Sequence, residues 1–206
     1  MYKLISKILT KRLQKVMDYL IDSSQSAFVS GRVITDNIIL SHELIKRYGR
    51  KGISPRCMVS IDMRKAYDSV EWQFVEQVIC CLNFPLKFVM WIMTCVTTVS
   101  YLFSINVYPT PPFSAKKSLR HGDPASHFLF VLAMEYFSRN LKKLRRIRDF
   151  NFHPKCEGLN IIQLSFVDDM LLFSRGDSWS VQMMFQCFQE FSIISDLQAN
   201  IDKSSG

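Results

Sequence analysis

The sequence predicts an α+β fold in which an antiparallel sheet packs on helices. Three observations carry that prediction. Short apolar runs stop on charge, as in "CMVSIDM" (57–63) and "LSFVDDMLLFS" (164–174), which is how buried strands emerge from a sheet. The apolar flanks of Asp168 and Asp169 make a hairpin, so at least one strand pair is antiparallel. Elsewhere apolar residues recur at helical spacing, in stretches long enough to cover a sheet face.

Along the chain, a first helix is expected to bury Ile5, Leu9, Val16 and Leu20. The loop "DSSQSAFVSGR" leads to a second helix from about Asp36 to Tyr48, and "GRKGISPRC" connects it to the strand at 57–63. Helical spacing returns at Val70, Phe74, Val78 and Leu82. Pro85 then starts a helix whose apolar face is Phe88, Val89, Ile92 and Val96. "VSYLFSINVY" has the composition of a strand pair or one long strand, and the prolines of "PTPPFSAKKSLRHGD" exclude helix. Pro124 opens a helix with a strongly basic end, which suits the macrodipole. The aspartate hairpin and the amphipathic "SWSVQMMFQCFQEFSII" follow.

A chain of 206 residues closes a real core, and 48% hydrophobic content with seven glycines excludes disorder. A formal charge of +8 and a pI near 9.2 favour a polyanionic partner, nucleic acid first and an anionic membrane surface second. The six cysteines have no regular spacing and no C-x-x-C pair, as in a reduced intracellular protein, nuclear or cytoplasmic. "HPKC" (153–156) lacks two further ligands and is expected to be a loop. No run approaches the roughly 20 apolar residues of a membrane span. The basic, amphipathic start is expected to be a folded helix rather than a targeting segment.

Asp62 ends one predicted strand, and Asp168 and Asp169 end another. On the hairpin alone an ordinary polar turn competes, because Asp is common in turns. If the two strands are neighbours, three carboxylates converge, and their repulsion in a low-dielectric crevice costs on the order of several kcal/mol. Hard divalent cations remove that cost. Two Mg²⁺ ions about 4 Å apart can activate a 3′-hydroxyl and stabilise phosphoryl transfer.

Five blocks, in order, give the sequence a family likeness: "QSAFVSGRVITDN", "IDMRKAYDSVEW", "SLRHGDPASHFLFVLAMEYFSR", "LSFVDDMLLFSRGD" and "SDLQANIDKS". The chain resembles the reverse transcriptase domain of LINE-type non-LTR retrotransposons, above all the lineage abundant in plant genomes. The resemblance implies a right-hand polymerase with a fingers-like helical region over 1–56 and a ferredoxin-like palm over 57–206. It implies a truncated piece, without endonuclease or thumb. The implied activity is RNA-directed DNA polymerisation, adding deoxynucleoside triphosphates to a DNA primer on an RNA template, with Mg²⁺ and with Mn²⁺ as a substitute. No membrane partner is expected.

By the same resemblance Asp62, Asp168 and Asp169 hold the metals, and Tyr67 lies under the sugar and rejects a 2′-hydroxyl. A buried core aromatic is the plain alternative for Tyr67. Arg32 approaches the triphosphate, a task that suits a planar donor fork, or else is a surface arginine. Gly122 lets the backbone pass close to template and nucleotide, and Lys203 neutralises or protonates the leaving pyrophosphate. His121 stands where the family has the glutamine that helps hold the nucleotide. His127 and Ser30 replace prolines, Ser118 and Asp196 replace glycines, and Val167 replaces alanine. Position 196 is expected at a turn with positive φ. The basic groups around Lys116, Lys117 and Arg120, and from Lys142 to Arg148, track the phosphate backbone or form solvated faces. The rival readings are a degenerate relic that at most binds nucleic acid, a DNA-templated polymerase palm, and a metal-free binding module.

Overall fold

Helix α1 (Tyr2–Leu20) opens the chain in the computed structural model, which describes residues 2–46, 54–102, 104–200 and 204. Its buried arc runs through Leu9, Leu13 and Met17 and continues at Ile21. The fully buried Ser6 marks the centre of that arc, so Ile5 falls on its shoulder and is exposed, against the expectation that it belongs to the core. Helix α2 (Ile34–Ile45) begins two residues earlier than expected and ends sooner. The expected end at Tyr48 lies outside the described residues. Strand β1 (Arg56–Arg64) and the one-turn α3 (Ala66–Ser69) lead into α4 (Trp72–Cys81) and α5 (Leu86–Thr97). Pro85 caps α5, and Phe88, Val89 and Ile92 are buried on its inner face.

The segment after α5 forms two small ribbons rather than one long strand. β2 (Ser100–Tyr101) pairs with β5 (Phe113–Ser114), and β3 (Ser104–Ile105) pairs with β4 (Tyr108–Pro109). The stretch expected to be loop thus supplies strand partners, because two-residue pairings need no hydrophobic alternation. Helix α6 (Pro124–Leu144) starts at Pro124, with the Asp123 carboxylate accepting the Ala125 N–H at 2.8 Å. Hairpin strands β6 (Gln163–Phe166) and β7 (Asp169–Arg175) follow, then α7 (Ser178–Ser195), capped by Asp177, and β8 (Gln198–Ala199).

The main sheet has the order β6-β7-β1-β8, and every pairing is antiparallel. Helix α6 is the spine of the helical layer, packed against α1, α4 and α7. Phe130, Phe137, Leu132 and Leu141 of α6 are sealed in the core, joined by Ile61, Met63, Met170 and Leu172 from one face of the sheet. Among the described residues the opposite face is covered at its far end, where Leu44, Cys156, Leu164 and Phe173 make a second cluster beneath α2. One sheet face is therefore core, and the other opens toward a cleft.

The buried Glu135 of α6 accepts the Asp22 N–H at 2.9 Å and Arg139 Nε at 2.8 Å. Desolvation outweighs those bonds and raises its pKa. The "HPKC" segment is a turn in which His153 Nδ1 lies 3.3 Å from Cys156 Sγ, both residues fully buried. Burial pushes the thiol up to about 12 and the imidazole down to about 4, so the pair is an inert packed contact at neutral pH.

Candidate active site

The antiparallel register of β1 and β7 sets Asp62 directly opposite Asp169. Residues opposite each other in such a pair share a face. Their neighbours Ile61, Met63 and Met170 point into the core, so both aspartates leave the sheet on its open side. Phe166 pairs with Asp169, which leaves Val167 and Asp168 as a two-residue hairpin loop. The Asp168 carbonyl accepts the Met63 N–H at 3.3 Å and draws the loop onto the end of β1. Three carboxylate-bearing residues from distant stretches of sequence thus meet at one end of the sheet.

The loop that carries Asp168 is strained. Val167 has φ +56°, a region that β-branched residues avoid. It sits at the first central position of the hairpin, where favoured turns demand positive φ and glycine is preferred. Gln25 compensates: its buried Oε1 accepts the Val167 N–H at 3.3 Å and the Ala27 N–H at 3.0 Å. The surrounding loop is stitched to the edge of β6. Ser165 N–H donates to the Ser24 carbonyl at 2.8 Å, Ser26 N–H donates to the Ser165 carbonyl at 3.2 Å, and Asn37 Nδ2 reaches both carbonyls at 3.1 Å. On the other side, Asn200 Nδ2 donates to Asp62 Oδ2 at 3.2 Å and its N–H donates to the Asp62 carbonyl at 2.8 Å. Neither Gln25 nor Asn200 stands out in the sequence; their places inside "QSAFVSGRVITDN" and "SDLQANIDKS" are the only signal.

The donor set suits a hard divalent cation: carboxylates on adjacent, in-register positions of one open face. Among the described residues, no group of three His, Cys, Asp or Glu side chains is gathered closely enough to ligate a metal ion. The chemistry of the donors fits, and the side chains as placed are not closed around a cation.

Tyr67 stands in α3, just past the end of β1, where Lys65 turns the chain at φ +47°. Its ring packs on Phe130 at 4.9 Å between centroids, and its hydroxyl lies 2.9 Å from His127 Nδ1. Burial and then the nearby Asp168 carboxylate push its pKa up to about 12, so it is a neutral phenol. His127, its own pKa lowered mainly by burial, stacks on Phe28 at 4.6 Å. His121 is largely exposed, 5.3 Å from the Tyr67 ring and 3.4 Å from Asp68 Oδ1. A pocket of about 440 Å³ opens here, lined by His121, Arg120, Lys117, Asp68 and Tyr101. A second cleft, of about 260 Å³, runs from Asp169 and Ser60 to Ile34, Asn37 and Ile38 of α2.

Arg32 is engaged within its own loop. Its guanidinium donates to the carbonyls of Asp22, Gln25 (2.9 Å) and Ile21 (3.0 Å), and pairs with Asp18 at 3.0 Å. A planar fork with several donors is well suited to closing such a loop, and that is how this one is used. Gly122 has φ +77°, a conformation that favours glycine, and among the described residues nothing lies within 4 Å of where a Cβ would stand. Both positions where glycine is replaced also adopt positive φ: Ser118 at +96° and Asp196 at +58°. Lys117 bonds Asp196, and from Lys142 to Arg148 the basic run is partly tied inward, Lys142 to Asp22 and Arg145 to the Asn160 carbonyl. Lys203 lies outside the described residues.

This architecture, with acidic residues at a sheet end below a helical region, is that of a nucleotide polymerase palm. The chain belongs to the reverse transcriptase (RNA-dependent DNA polymerase) family, matched over residues 1–206. It is 29% identical over 205 residues to the "Transposon TX1 uncharacterized 149 kDa protein" of Xenopus laevis, covering all of this chain and 15% of that protein. It is 22% identical over 199 residues to the Pol polyprotein of the type-2 retrotransposable element R2DM of Drosophila melanogaster, covering 97% of this chain and 18% of that one. These relatives set it among the reverse transcriptase domains of LINE-type, non-LTR elements, and the chain spans less than a fifth of their length. The fold is shared with telomerase from Candida albicans in complex with a fragment of telomeric RNA (TM-score 0.65, 13% identity, 98% of this chain and 33% of that one). It is shared equally with apo telomerase from Candida tropicalis (TM-score 0.65, 12% identity, 100% and 36%). Among the described residues no helix is long and apolar enough to cross a membrane.

Proposed function

We propose that the chain is the fingers–palm part of an RNA-directed DNA polymerase, fingers over 1–56 and palm over 57–206, extending a DNA primer on an RNA template. The observation that carries the reading is the register that pairs Asp62 with Asp169 and leaves Asp168 one residue away. Asp62, Asp168 and Asp169 would hold Mg²⁺, or Mn²⁺ in its place. When bound, the metals supply the charge that activates the primer 3′-hydroxyl and neutralises the departing pyrophosphate. The incoming nucleotide enters the pocket beside Tyr67, where Arg120 and Lys117 face its phosphates and His121 lines the wall. The Tyr67 ring, fixed by Phe130 and His127, blocks a 2′-hydroxyl by bulk. Arg32 acts through the loop it closes, and Lys203 is assigned to the leaving pyrophosphate. The template strand follows the cleft between α2 and β7.

A weakly active relic is the second reading, favoured by Ser118 and Asp196 occupying positive-φ positions. Primer extension on poly(rA)/oligo(dT) with Mg²⁺ separates the two. Short, poorly processive products abolished by Asp168→Asn support the polymerase. No extension by the wild-type chain at any Mg²⁺ or Mn²⁺ concentration supports the relic, and products that survive Asp168→Asn remove the aspartate site altogether.

A further inference from the structure

A hollow of about 480 Å³ lies along the outer edge of β6, between the 22–24 loop, α2, the C-terminal half of α6 and the 159–164 segment. Leu164 and Asn37 line both it and the cleft beside Asp169, while Asp62, Asp168 and Asp169 are not among its lining residues. Gln163 turns away from the Leu164 face and bonds Ser138 of α6.

Two polar groups in its wall are incompletely satisfied. Gln163 is 5% exposed; its Nε2 donates to Ser24 Oγ at 3.1 Å and to Ser138 Oγ, and its Oε1 has no partner among the described residues. Rotating the amide by half a turn only exchanges which atom is left over, because the serines can serve either. Arg145 donates through one terminal nitrogen to the Asn160 carbonyl, and its buried Nε has no partner among the described residues. Buried polar atoms of this kind are destabilising unless something meets them.

The remaining wall is aliphatic, Leu40, Leu141, Leu159 and Ile161 among it, and the rim carries Lys142 beside Arg145. Lys142 is already paired with Asp22, which leaves Arg145 as the cation of the two with no carboxylate partner among the described residues. The volume falls inside the range of about 300–1,000 Å³ typical of small-ligand sites and far exceeds the roughly 30 Å³ of one water. A ligand matching these demands has a flat, partly apolar body with hydrogen-bonding edges for Gln163, and an anionic group one bond-chain away for Arg145.

We propose that this hollow binds a nucleotide unit, its base between the aliphatic walls with an edge on the Gln163 amide and its phosphate on Arg145. The unit is either a free nucleoside monophosphate or one nucleotide of an RNA strand. The site stands on its own geometry and does not require the polymerase reading.

Isothermal titration of the full chain in EDTA, with each of the four ribonucleoside monophosphates, with a short single-stranded RNA and with inorganic phosphate, tests it. Saturable one-to-one binding is expected for a nucleotide or the RNA. RNA binding at least tenfold tighter than any monophosphate assigns the site to a strand, and the reverse assigns it to free nucleotide. Arg145→Ala weakens binding at least tenfold, and Leu159→Trp, an exposed rim position that fills the hollow, abolishes it with the thermal melt unchanged. Asp168→Asn leaves it intact. Phosphate binding as tightly as the nucleotides, absence of saturable binding, or loss of binding with Asp168→Asn each overturns the proposal.

Discussion

Replacing Ser118 by glycine should stabilise the protein, and the size of the gain can be worked from the backbone. At φ +96° Ser118 lies beyond the small left-handed region that L-residues tolerate. Holding a non-glycine residue in such a place costs about 1–3 kcal/mol. Three neighbouring hydrogen bonds keep it there: Ser118 N–H to the Val70 carbonyl at 3.1 Å, Trp72 Nε1 to the Ser118 carbonyl at 2.6 Å, and Leu119 N–H to the Tyr67 carbonyl at 2.7 Å. All three use atoms that glycine retains. Against the relieved strain stands the extra freedom of glycine in the unfolded chain, roughly 0.5–1 kcal/mol. The net is about 1 kcal/mol in favour of Ser118→Gly, which raises the melting temperature by about 2–4 °C in a chain of this size. Asp196→Gly is the internal control. Its φ of +58° is one that aspartate accepts more readily, and its carboxylate bonds Lys117 at a half-exposed site where ion pairs contribute up to about 1 kcal/mol. There gain and loss should nearly cancel. Differential scanning calorimetry of both variants decides the matter. A melting temperature for Ser118→Gly at or below wild type would refute the strain argument.

Gln25→Ala strips the acceptor from two backbone N–H groups, those of Ala27 and Val167, and is expected to cost about 2–4 kcal/mol in urea unfolding; a shift below about 1 kcal/mol denies the latch its role. His127→Phe keeps the stack on Phe28 and removes the bond to the Tyr67 hydroxyl, so discrimination against ribonucleotides in primer extension should fall about two- to tenfold, the worth of one hydrogen bond; an unaltered ratio means the ring is fixed by Phe130 alone. His153, held down to about 4 by burial and by Arg56 and Lys155, binds fewer protons folded than unfolded between its ordinary value near 6.5 and 4. Its contribution to stability is therefore intact above that window and lost as pH falls through it. His153→Phe should flatten the slope of unfolding free energy against pH there, and a slope equal to wild type locates the acid sensitivity elsewhere.

How much of the fold is legible in the sequence follows from which signals are local. Strands β1, β6 and β7 announce themselves because an apolar run that ends on charge suits a strand leaving a sheet and little else. Helices α5 and α6 do so because Pro85 and Pro124 mark their first turns. The buried stripe of α1 lies part of a turn from where its apolar spacing puts it, since a helix with apolar residues on two sides does not reveal which side its partner takes. The ribbons β2–β5 and β3–β4 have no periodicity to betray them. Positive φ at position 196 is expected from its relation to a glycine. The strain at Val167 is not, because valine is the residue least suited to it. Arg32 illustrates a different limit: residue type tells that a guanidinium will bind oxygen acceptors, and only the fold tells that they are backbone carbonyls of its own loop.

The block "QSAFVSGRVITDN" braces the aspartate hairpin. Its polar residues look like substrate contacts when read in line, yet Gln25, Ser26, Arg32 and Asn37 all spend hydrogen bonds inside the chain, three of them on β6 or the hairpin loop itself. The reason lies in what the hairpin has to be. Two adjacent carboxylates at its tip repel each other, and the turn that presents them needs a backbone shape that Val167 resists. Among the described residues β6 is an edge strand, four residues long, with β7 as its neighbour in the main sheet. Such a hairpin would fray on its own, and the loop preceding α2 supplies the missing edge partners. A substitution that preserves size but loses the donor, such as Asn37→Asp at the start of α2, should then damage the aspartate site through the strand it braces, and primer extension should fall with it.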